Sequence, residues 1–493
     1  MNQQLVDHKE RSLVLEYAKK VSGNFIGGQW VPSQSGSTIE ILDPSTGRTL
    51  GEVPSSTADE VAAAVENAAA AQPSWAAKTP SQRSKALLDL ARLAEENFEL
   101  FSVLEAVDAG KPISAVRDDE MHGTLDAMRF FAGACRTLPA PASGDYLEGV
   151  SSVMRREPLG VIAAITPWNY PLLQAVAKVY AALATGNSVV LKPAETTPYS
   201  TVLLAELAAQ VLPAGVFNVV FGSGAVAGDA LAKHPKIAAV SFTGSIETGR
   251  KVGIAAADGV KKSILELGGN SPVIVFDDAD LDAALDAIAA GGVYNTGQEC
   301  MSASRLIVHS SIVERAVEGL KARLSQYQVG DVLDPATAIG PMNSAEQRSR
   351  VEAKIAALGP DAKVVLGGTS PEGEGFFFPP TIITGAGQHD EIVQEEIFGP
   401  VFTVQPFDAE SEAITMANST RYGLAASVFT SNIGRATRVQ NALNFGTVWI
   451  NNHLVFAADL PVSGFGQSGI GTENAELGLL EYTRLKHIMI DQR

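Results

Sequence analysis

One of only two cysteines in the chain, Cys300, stands in the stretch NTGQECMSAS (residues 295–304), pressed between Glu299 and Met301. A thiol reacts as its thiolate, and a neighbouring carboxylate disfavours that ion, so a chain needing only a reactive sulfur would place Lys, Arg or a helix N-terminus there. Either Cys300 is inert or Glu299 has another task. Four further stretches combine polar side chains with strand-to-helix punctuation: ITPWNYP (165–171), LKPAETTP (191–198), SFTGSIETG (241–249) and LELGGNSP (265–272). In SFTGSIETG the two glycines enclose four residues, which differs from the G-x-G-x-x-G fingerprint. It reads either as a tight turn or as an anion site on the free N–H groups of a helix start. In LKPAETTP, Lys192 and Glu195 form either a solvated pair or, beside a nucleotide, the contacts to a ribose.

Short apolar β-branched runs alternating with helical stretches must position these groups. From Gly160, GVIAAIT, SVVLKPAE, VFNVVFG and KIAAVSFTG are each followed or separated by helical sequence. Such continuous apolar strands are those of a buried parallel sheet. The first three clusters then fall at strand carboxyl ends, where doubly wound sheets bind ligands. A second α/β region runs from about Leu265 to Gly464, with strands in SPVIVF, RLIVHS, ASVFTS and GTVWIN. A hairpin at FIGGQWV and alanine-rich helices from about Ala58 to Phe131 precede both. Residues 133–156 and the tail TRLKHIMIDQR are strand-like with no place in either sheet, and unpartnered strands tend to pair elsewhere.

The length of 493 residues argues for two or three domains, and 46% hydrophobic with 19% charged residues is a globular composition. A formal charge of −18, spread along the chain, repels a nucleic-acid backbone. No apolar run approaches the roughly 20 residues of a membrane helix, and the N-terminus MNQQLVDHKERSLVLEYAKK lacks the pattern of a signal peptide. Two cysteines make no disulfide framework, so the expected location is the cytoplasm. The seven histidines include no i, i+4 pair, and DDAD at Asp277–Asp280 reads as helix capping, so no metal is expected. Cys135, at a helix end, reads as a small buried residue.

In order and at matching spacings, TPWNYP, LKPAETTP, SFTGSIETG, LELGGNSP, GQEC, EEIFGPV and SGFGQSGIG resemble the serial motifs of the aldehyde dehydrogenase superfamily, over about Phe25 to Ile490. The resemblance implies an α/β fold with a Rossmann-type NAD-binding domain (1–132 and 157–264), an α/β catalytic domain (265–464) and small β oligomerisation strands (133–156 and 475–493), assembled as a homo-dimer or homo-tetramer. It makes Cys300 the nucleophile, Glu266 the general base, Asn169 an oxyanion donor and Lys178 a proton-relay candidate. Thiol addition, hydride loss and hydrolysis of a thioester by water would convert an aldehyde to its acid. Trp168 and Ser245 fall near the pyrophosphate, Lys192 and Glu195 on the adenosine ribose, and Glu396 and Phe398 around the nicotinamide ribose. Ile165, Thr166, Pro167, Gly224, Phe242, Thr243, Gly244, Thr248, Leu267 and Gly268 complete the implied cofactor site. A carboxylate at 195 would repel a 2′-phosphate, favouring NAD over NADP.

The match departs from the family at Gly466, where a lysine is common, which puts the packing of that loop in doubt. Tyr170, Trp449 and Phe456 fall on the implied substrate channel, but positions 177 and 462 are Ala and Val, so a full aromatic cage for a quaternary ammonium is not expected. WINNHLVFAADLP and LEYTRLKHIM resemble the aminobutyraldehyde dehydrogenase branch. If the Glu299 carboxylate turns away from the sulfur toward the channel, it and Glu120 could attract an aminoaldehyde such as 4-aminobutanal. Alternatively both acids are solvated or internally paired and the substrate is a neutral aliphatic or aromatic aldehyde. A noncatalytic protein of the same fold is the remaining alternative, although Cys300, Glu266 and Asn169 are all present.

Overall fold

A computed structural model describes residues 9–493; the first eight residues, including His8 and the start of the supposed leader-free N-terminus, lie outside the described residues. An eight-stranded sheet carries at its centre five parallel strands, Val161–Ile165, Ser188–Lys192, Phe217–Val219, Ile237–Thr243 and Lys262–Glu266. Counted along the chain they stand in the spatial order 3-2-1-4-5, the doubly wound arrangement whose crevice opens where the strand order reverses. That reversal lies between Val161–Ile165 and Ile237–Thr243. The strand Lys262–Glu266 crosses the expected boundary at 264/265, so Leu265 and Glu266 end on the carboxyl edge of this first sheet. The hairpin Asn24–Ile26 and Gln29–Val31 closes one side and Gly469–Ile470 the other, the latter pairing with Leu265 and Glu266.

A second, seven-stranded sheet runs Lys363–Leu366, Thr381–Thr384, Val401–Phe407, Arg305–His309, Pro272–Val275, Ala425–Phe429 and Thr447–Ile450, parallel throughout except for the first pair. Its first three strands are not among the apolar runs that mark strands in the sequence, and VFTVQPF shows why. The run is interrupted by Gln and Pro, and its burial comes from helices packed on both faces. The DDAD cluster divides its work. Asp280 caps the helix Leu281–Val293 by accepting from the Ala283 N–H at 3.2 Å, while Asp277 and Asp278 pair with Arg435. Among the described residues no group of three His, Cys, Asp or Glu could hold a metal ion, and no helix is long and apolar enough to cross a membrane. Cys135 is buried, its thiol donating to the carbonyls of Pro80 and Ala132.

The two leftover strand segments lie in neither large sheet and pair with each other within the subunit. Val150–Pro158 pairs antiparallel with Thr483–Asp491 along its whole length and with Gly144–Leu147 on its other side, forming a separate three-stranded sheet. Its outer strand Thr483–Asp491 still presents an open edge flanked by exposed Leu485, Met489 and Ile490, the kind of surface a second chain can cover. The full chain is therefore expected to sediment as a dimer or tetramer, and a chain lacking residues 484–493 as a smaller species. An unchanged sedimentation coefficient per assembled subunit after that deletion would reject the role of this edge.

Candidate active site

Between the two sheets lies a cavity of about 620 Å³ whose walls combine both carboxyl edges. From the first sheet come the loop after Val161–Ile165 (Pro167 to Tyr170), the turn after Ile237–Thr243 (Gly244, Ser245) and Glu266 with Leu267 and Gly268; from the region of the second sheet come Glu299, Cys300, Glu396, Phe398, Trp449 and Phe456. Glu120 reaches the same wall from the helical layer.

A strained turn delivers Cys300. The helix Leu281–Val293 ends in three consecutive left-handed residues, Asn295 (φ 48°), Thr296 (φ 58°) and Gly297 (φ 68°). Such a conformation is costly for an Asn and a β-branched Thr, and persists only where surrounding bonds fix it. Those bonds are present. Asn295 Nδ2 donates to the carbonyls of Asn169 and Gln298, Thr296 Oγ1 donates to the Gly340 carbonyl, and Gln298 Oε1 accepts from the Asn343 N–H at 2.8 Å. Asn169 Nδ2 donates to the Gln298 carbonyl at 3.0 Å; a carboxamide has two N–H hydrogens, so one remains to point into the cavity. The buried ring of His453 spans from Ser427 Oγ to the Met301 carbonyl, at 2.7 and 2.9 Å, and burial lowers its pKa to about 4. It is a neutral strut holding the chain beside Cys300, and as a lone histidine in the sequence it had no partner to reveal it.

The Glu299 carboxylate faces the sulfur. The Cys300 thiol donates to Glu299 Oε1 at 3.2 Å, and the same oxygen accepts from the Met301 N–H at 3.1 Å. The expectation that this carboxylate turns away from the sulfur is thus corrected: Glu299 lines the cavity, but the Met301 N–H and the thiol hold one of its oxygens beside Cys300. Burial, then the charge and hydrogen bond of Glu299, push the Cys300 thiol well above its ordinary pKa.

Glu266 is buried with Oε1 lacking any hydrogen-bond partner. Burial raises its pKa well above the ordinary value, the charge of Glu473 raises it further, and Lys178 opposes both. Lys178 itself is fully buried, with Nζ donating to Glu473 Oε1, to Thr243 Oγ1 at 2.6 Å and to Gln174 Oε1 at 3.0 Å. Glu473 was missed in the sequence because a lone acid in a polar loop carries no spacing signal; only the fold brings it to Lys178.

The remaining implied cofactor positions divide. Trp168 and Phe398 meet edge to face at 5.2 Å between centroids. Glu396 Oε1 accepts from the Gly269 N–H at 2.9 Å, and burial with the nearby charge of Glu299 raises its pKa to about 8. Ser245 caps the helix Ile246–Asp258 by accepting from the Thr248 N–H at 3.3 Å. Lys192, Glu195 and Gly224 sit apart from the cavity in their own cluster: Glu195 Oε1 accepts from the Gly224 N–H at 2.6 Å and lies 3.3 Å from Lys192 Nζ. Burial lowers the Lys192 pKa. Ile165 and Phe242 turn their side chains into the hydrophobic core, so they offer the crevice backbone only. Thr166 Oγ1 is buried with no partner at this same edge, an unsatisfied hydroxyl of the kind a ligand completes. The switch-point crevice, the helix start at Ile246 and this orphan hydroxyl fit a dinucleotide.

At the channel side, Tyr170 is buried with its hydroxyl unpartnered, Trp449 Nε1 donates to the Val455 carbonyl at 3.0 Å, and Phe456 is exposed. Glu120 is buried and its two carboxylate oxygens accept from Lys111 Nζ at 2.6 and 2.8 Å, so its charge is internally paired rather than free. At the divergent tail, Gly466 has φ 60°, and a Cβ there would stand 2.8 Å from the Arg421 carbonyl. A lysine would strain this loop as it is built, which is the structural reason for glycine at that position. If the Glu299 carboxylate holds the thiol protonated, Glu299→Gln should accelerate alkylation of Cys300 by iodoacetamide near neutral pH by about tenfold, one unit of thiol pKa; an unchanged rate would show that it does not.

Residues 30–488 match the model of the aldehyde dehydrogenase family. Phenylacetaldehyde dehydrogenase of Pseudomonas fluorescens is 41% identical over 478 residues, covering 94% of this chain and 95% of that protein. Betaine aldehyde dehydrogenase 1 of Rhizobium meliloti (strain 1021) is 40% identical over 480 residues, covering 96% and 98%. The crystal structure of betaine aldehyde dehydrogenase from Staphylococcus aureus in complex with NAD+ superposes with a TM-score of 0.96 at 38% identity, covering 99% of this chain and 98% of that one. A cysteine on a strained turn, a buried carboxylate facing the same cavity and a dinucleotide crevice beside them, carried on a chain matched over almost its whole length, establish that this protein belongs to the aldehyde dehydrogenase family.

Proposed function

We propose that this enzyme oxidises an uncharged aldehyde bearing an aromatic or apolar chain to the carboxylic acid, using NAD and water. The observation that carries the substrate class is the engagement of the acids at the cavity wall. Glu120 is paired with Lys111, Glu299 holds the Cys300 thiol, and Asp119 Oδ2 accepts from the Tyr294 hydroxyl at 2.6 Å. What remains toward the aldehyde is Tyr170, Leu173, Trp449, Phe456 and Val462. The likeness to phenylacetaldehyde dehydrogenase supports the same class. An aminoaldehyde such as 4-aminobutanal is the second reading, favoured by the number of acids around the cavity and by the betaine aldehyde relatives.

The chemistry follows from the side chains. Cys300 passes its proton to the Glu266 carboxylate on the same cavity, and its sulfur adds to the aldehyde carbon, turning the carbonyl oxygen into an alkoxide. The free N–H of Asn169 Nδ2, together with the Cys300 backbone N–H, stabilises that charge. The Lys192–Glu195 cluster, the Ser245 helix start and Glu396 would hold NAD, which would supply the hydride acceptor needed to take the sulfur adduct to a thioester. Glu266, once ionised, takes a proton from water, whose oxygen displaces the sulfur and releases the acid and a free thiol. Burial makes Glu266 a stronger base than an exposed carboxylate, at the cost of ionising later as pH rises. A carboxylate at Glu195 disfavours the 2′-phosphate of NADP.

The direct test is NADH formation with phenylacetaldehyde, pentanal and 4-aminobutanal under one set of conditions. The neutral substrates are expected to exceed the amine in kcat/KM by roughly tenfold or more, and a preference for the amine would transfer the assignment to the second reading. A base with a raised pKa must be deprotonated to work, so kcat should rise with pH through the Glu266 ionisation. Glu473→Gln removes a negative neighbour and leaves Lys178 unopposed, both of which lower the Glu266 pKa. The acid limb of the kcat profile should therefore move down by about one pH unit, even if the plateau falls; a limb that stays in place would assign it to another group.

A further inference from the structure

The helix Pro171–Ala184 starts two residues after Asn169 and carries Lys178 and Gln174, which bond each other. Where this helix starts therefore decides where Asn169 stands. A helix leaves its first N–H groups without partners of its own. Here Tyr170 provides no side-chain cap and Pro171 has no N–H, so the Leu172 N–H is the first orphan donor. It donates at 2.9 Å to Glu105 Oε1, from a side chain 67 residues away in sequence.

Glu105 lies on the helix Phe98–Ala109, is 0% exposed and does not line the cavity. Its oxygens are nonetheless all engaged. Oε1 also accepts from the Ser200 hydroxyl, in the first turn of the helix Tyr199–Ala208, and Oε2 accepts from Lys111 Nζ at 3.2 Å. A carboxylate at the positive end of a helix is favourably placed, and this one ties that end to two other helices. On its other side the Asn169 loop is tied to the nucleophile's turn. The Asn169 carbonyl accepts from Asn295 Nδ2 at 2.9 Å, and Asn169 Nδ2 donates to the Gln298 carbonyl at 3.0 Å. Of these two anchors, only the one at Glu105 can be removed without cutting a bond of the turn that delivers Cys300.

We propose that Glu105 is a positioning residue for the oxyanion donor: by fixing the helix start through the Leu172 N–H, it holds the Asn169 carboxamide where the alkoxide forms. This rests on the reading of Asn169 as that donor, and the test separates the two. p-Nitrophenyl acetate reads the step without NAD. The Cys300 sulfur adds to the ester carbonyl, the same alkoxide forms, and its collapse expels p-nitrophenolate in place of hydride, leaving an acetyl thioester for water to hydrolyse. Iodoacetamide instead loses iodide to the thiolate at a saturated carbon, and no alkoxide forms. Glu105→Gln and Glu105→Met both remove the charge, but only Gln keeps an oxygen that can accept from Leu172.

Nitrophenolate release is expected to fall by about tenfold in Glu105→Met and to stay within about twofold of the wild type in Glu105→Gln, with iodoacetamide alkylation of Cys300 unchanged in both. In turnover of pentanal, kcat should follow the same order with KM for NAD unchanged. In an Asn169→Ala background, Glu105→Met should cause no further fall, because the two act as one unit. Wild-type release from Glu105→Met, an equal fall in both variants, or a parallel fall in alkylation would overturn the proposal. If Asn169→Ala is slow while Glu105→Met is not, the positioning role alone fails; if Asn169→Ala matches the wild type, the oxyanion assignment fails and this proposal with it. Should Glu105→Met not fold, Glu105→Asp, one methylene shorter, takes its place in the comparison with Glu105→Gln.

Discussion

A Cβ on residue 269 would stand 2.0 Å from the backbone carbonyl of Cys300, and one on residue 268 would stand 2.3 Å from Glu396 Oε2. The Gly268–Gly269 pair therefore sets how near the two halves of the site can come. It stands one residue, Leu267, beyond Glu266 at the end of a first-sheet strand, and precedes Pro272–Val275 of the second sheet. The nucleophile's loop and the Glu396 carboxylate close onto this glycine step as onto a flat surface. Ser468 locks it from behind, its hydroxyl donating to the Gly268 carbonyl and accepting from the Gly423 N–H, and its own carbonyl accepting from the Leu267 N–H. Any side chain at 269 would separate Cys300 from the edge that holds Glu266.

The second organising feature is a concentration of carboxylates with few cations. Glu266, Glu299, Glu396 and Glu473 converge on one cavity, and burial raises the pKa of Glu266 and Glu396. Two buried lysines divide the load. Lys178 serves Glu473 and moderates Glu266, while Lys111 serves Glu120 and Glu105. Burial alone would lower the Lys111 pKa, but the charges of Glu120 and Glu105 outweigh it and hold the ammonium above its ordinary value. The carboxylates without a lysine behave differently. Glu396 is left to a single backbone N–H, and Glu299 shares one oxygen between the thiol and the Met301 N–H. Burial first, and then the charges of Glu299, Glu396 and Glu266, raise the pKa of the Cys300 thiol, which disfavours the reactive thiolate.

The sequence by itself determined the architecture and the main chemical groups. Apolar runs such as VIAAI and SVVLK, each followed by helical sequence, read as buried parallel strands, which puts the clusters after them on one carboxyl edge, and serial motifs from TPWNYP to SGFGQSGIG carried the family. Tertiary structure decided everything that depends on side-chain direction and on partners distant in the chain. Glu299 could be read as turned away from the sulfur or as held beside it until the Met301 N–H fixed it. Glu120 could be free or paired until Lys111, nine residues earlier, folded beneath it. Glu473 became relevant only when the tail brought it to Lys178, 295 residues away. The two strand segments that had no visible place found each other across more than three hundred residues. Local periodicity records which face of an element is apolar; the pairing of buried charges is set by contacts whose sequence separation leaves no local pattern to read.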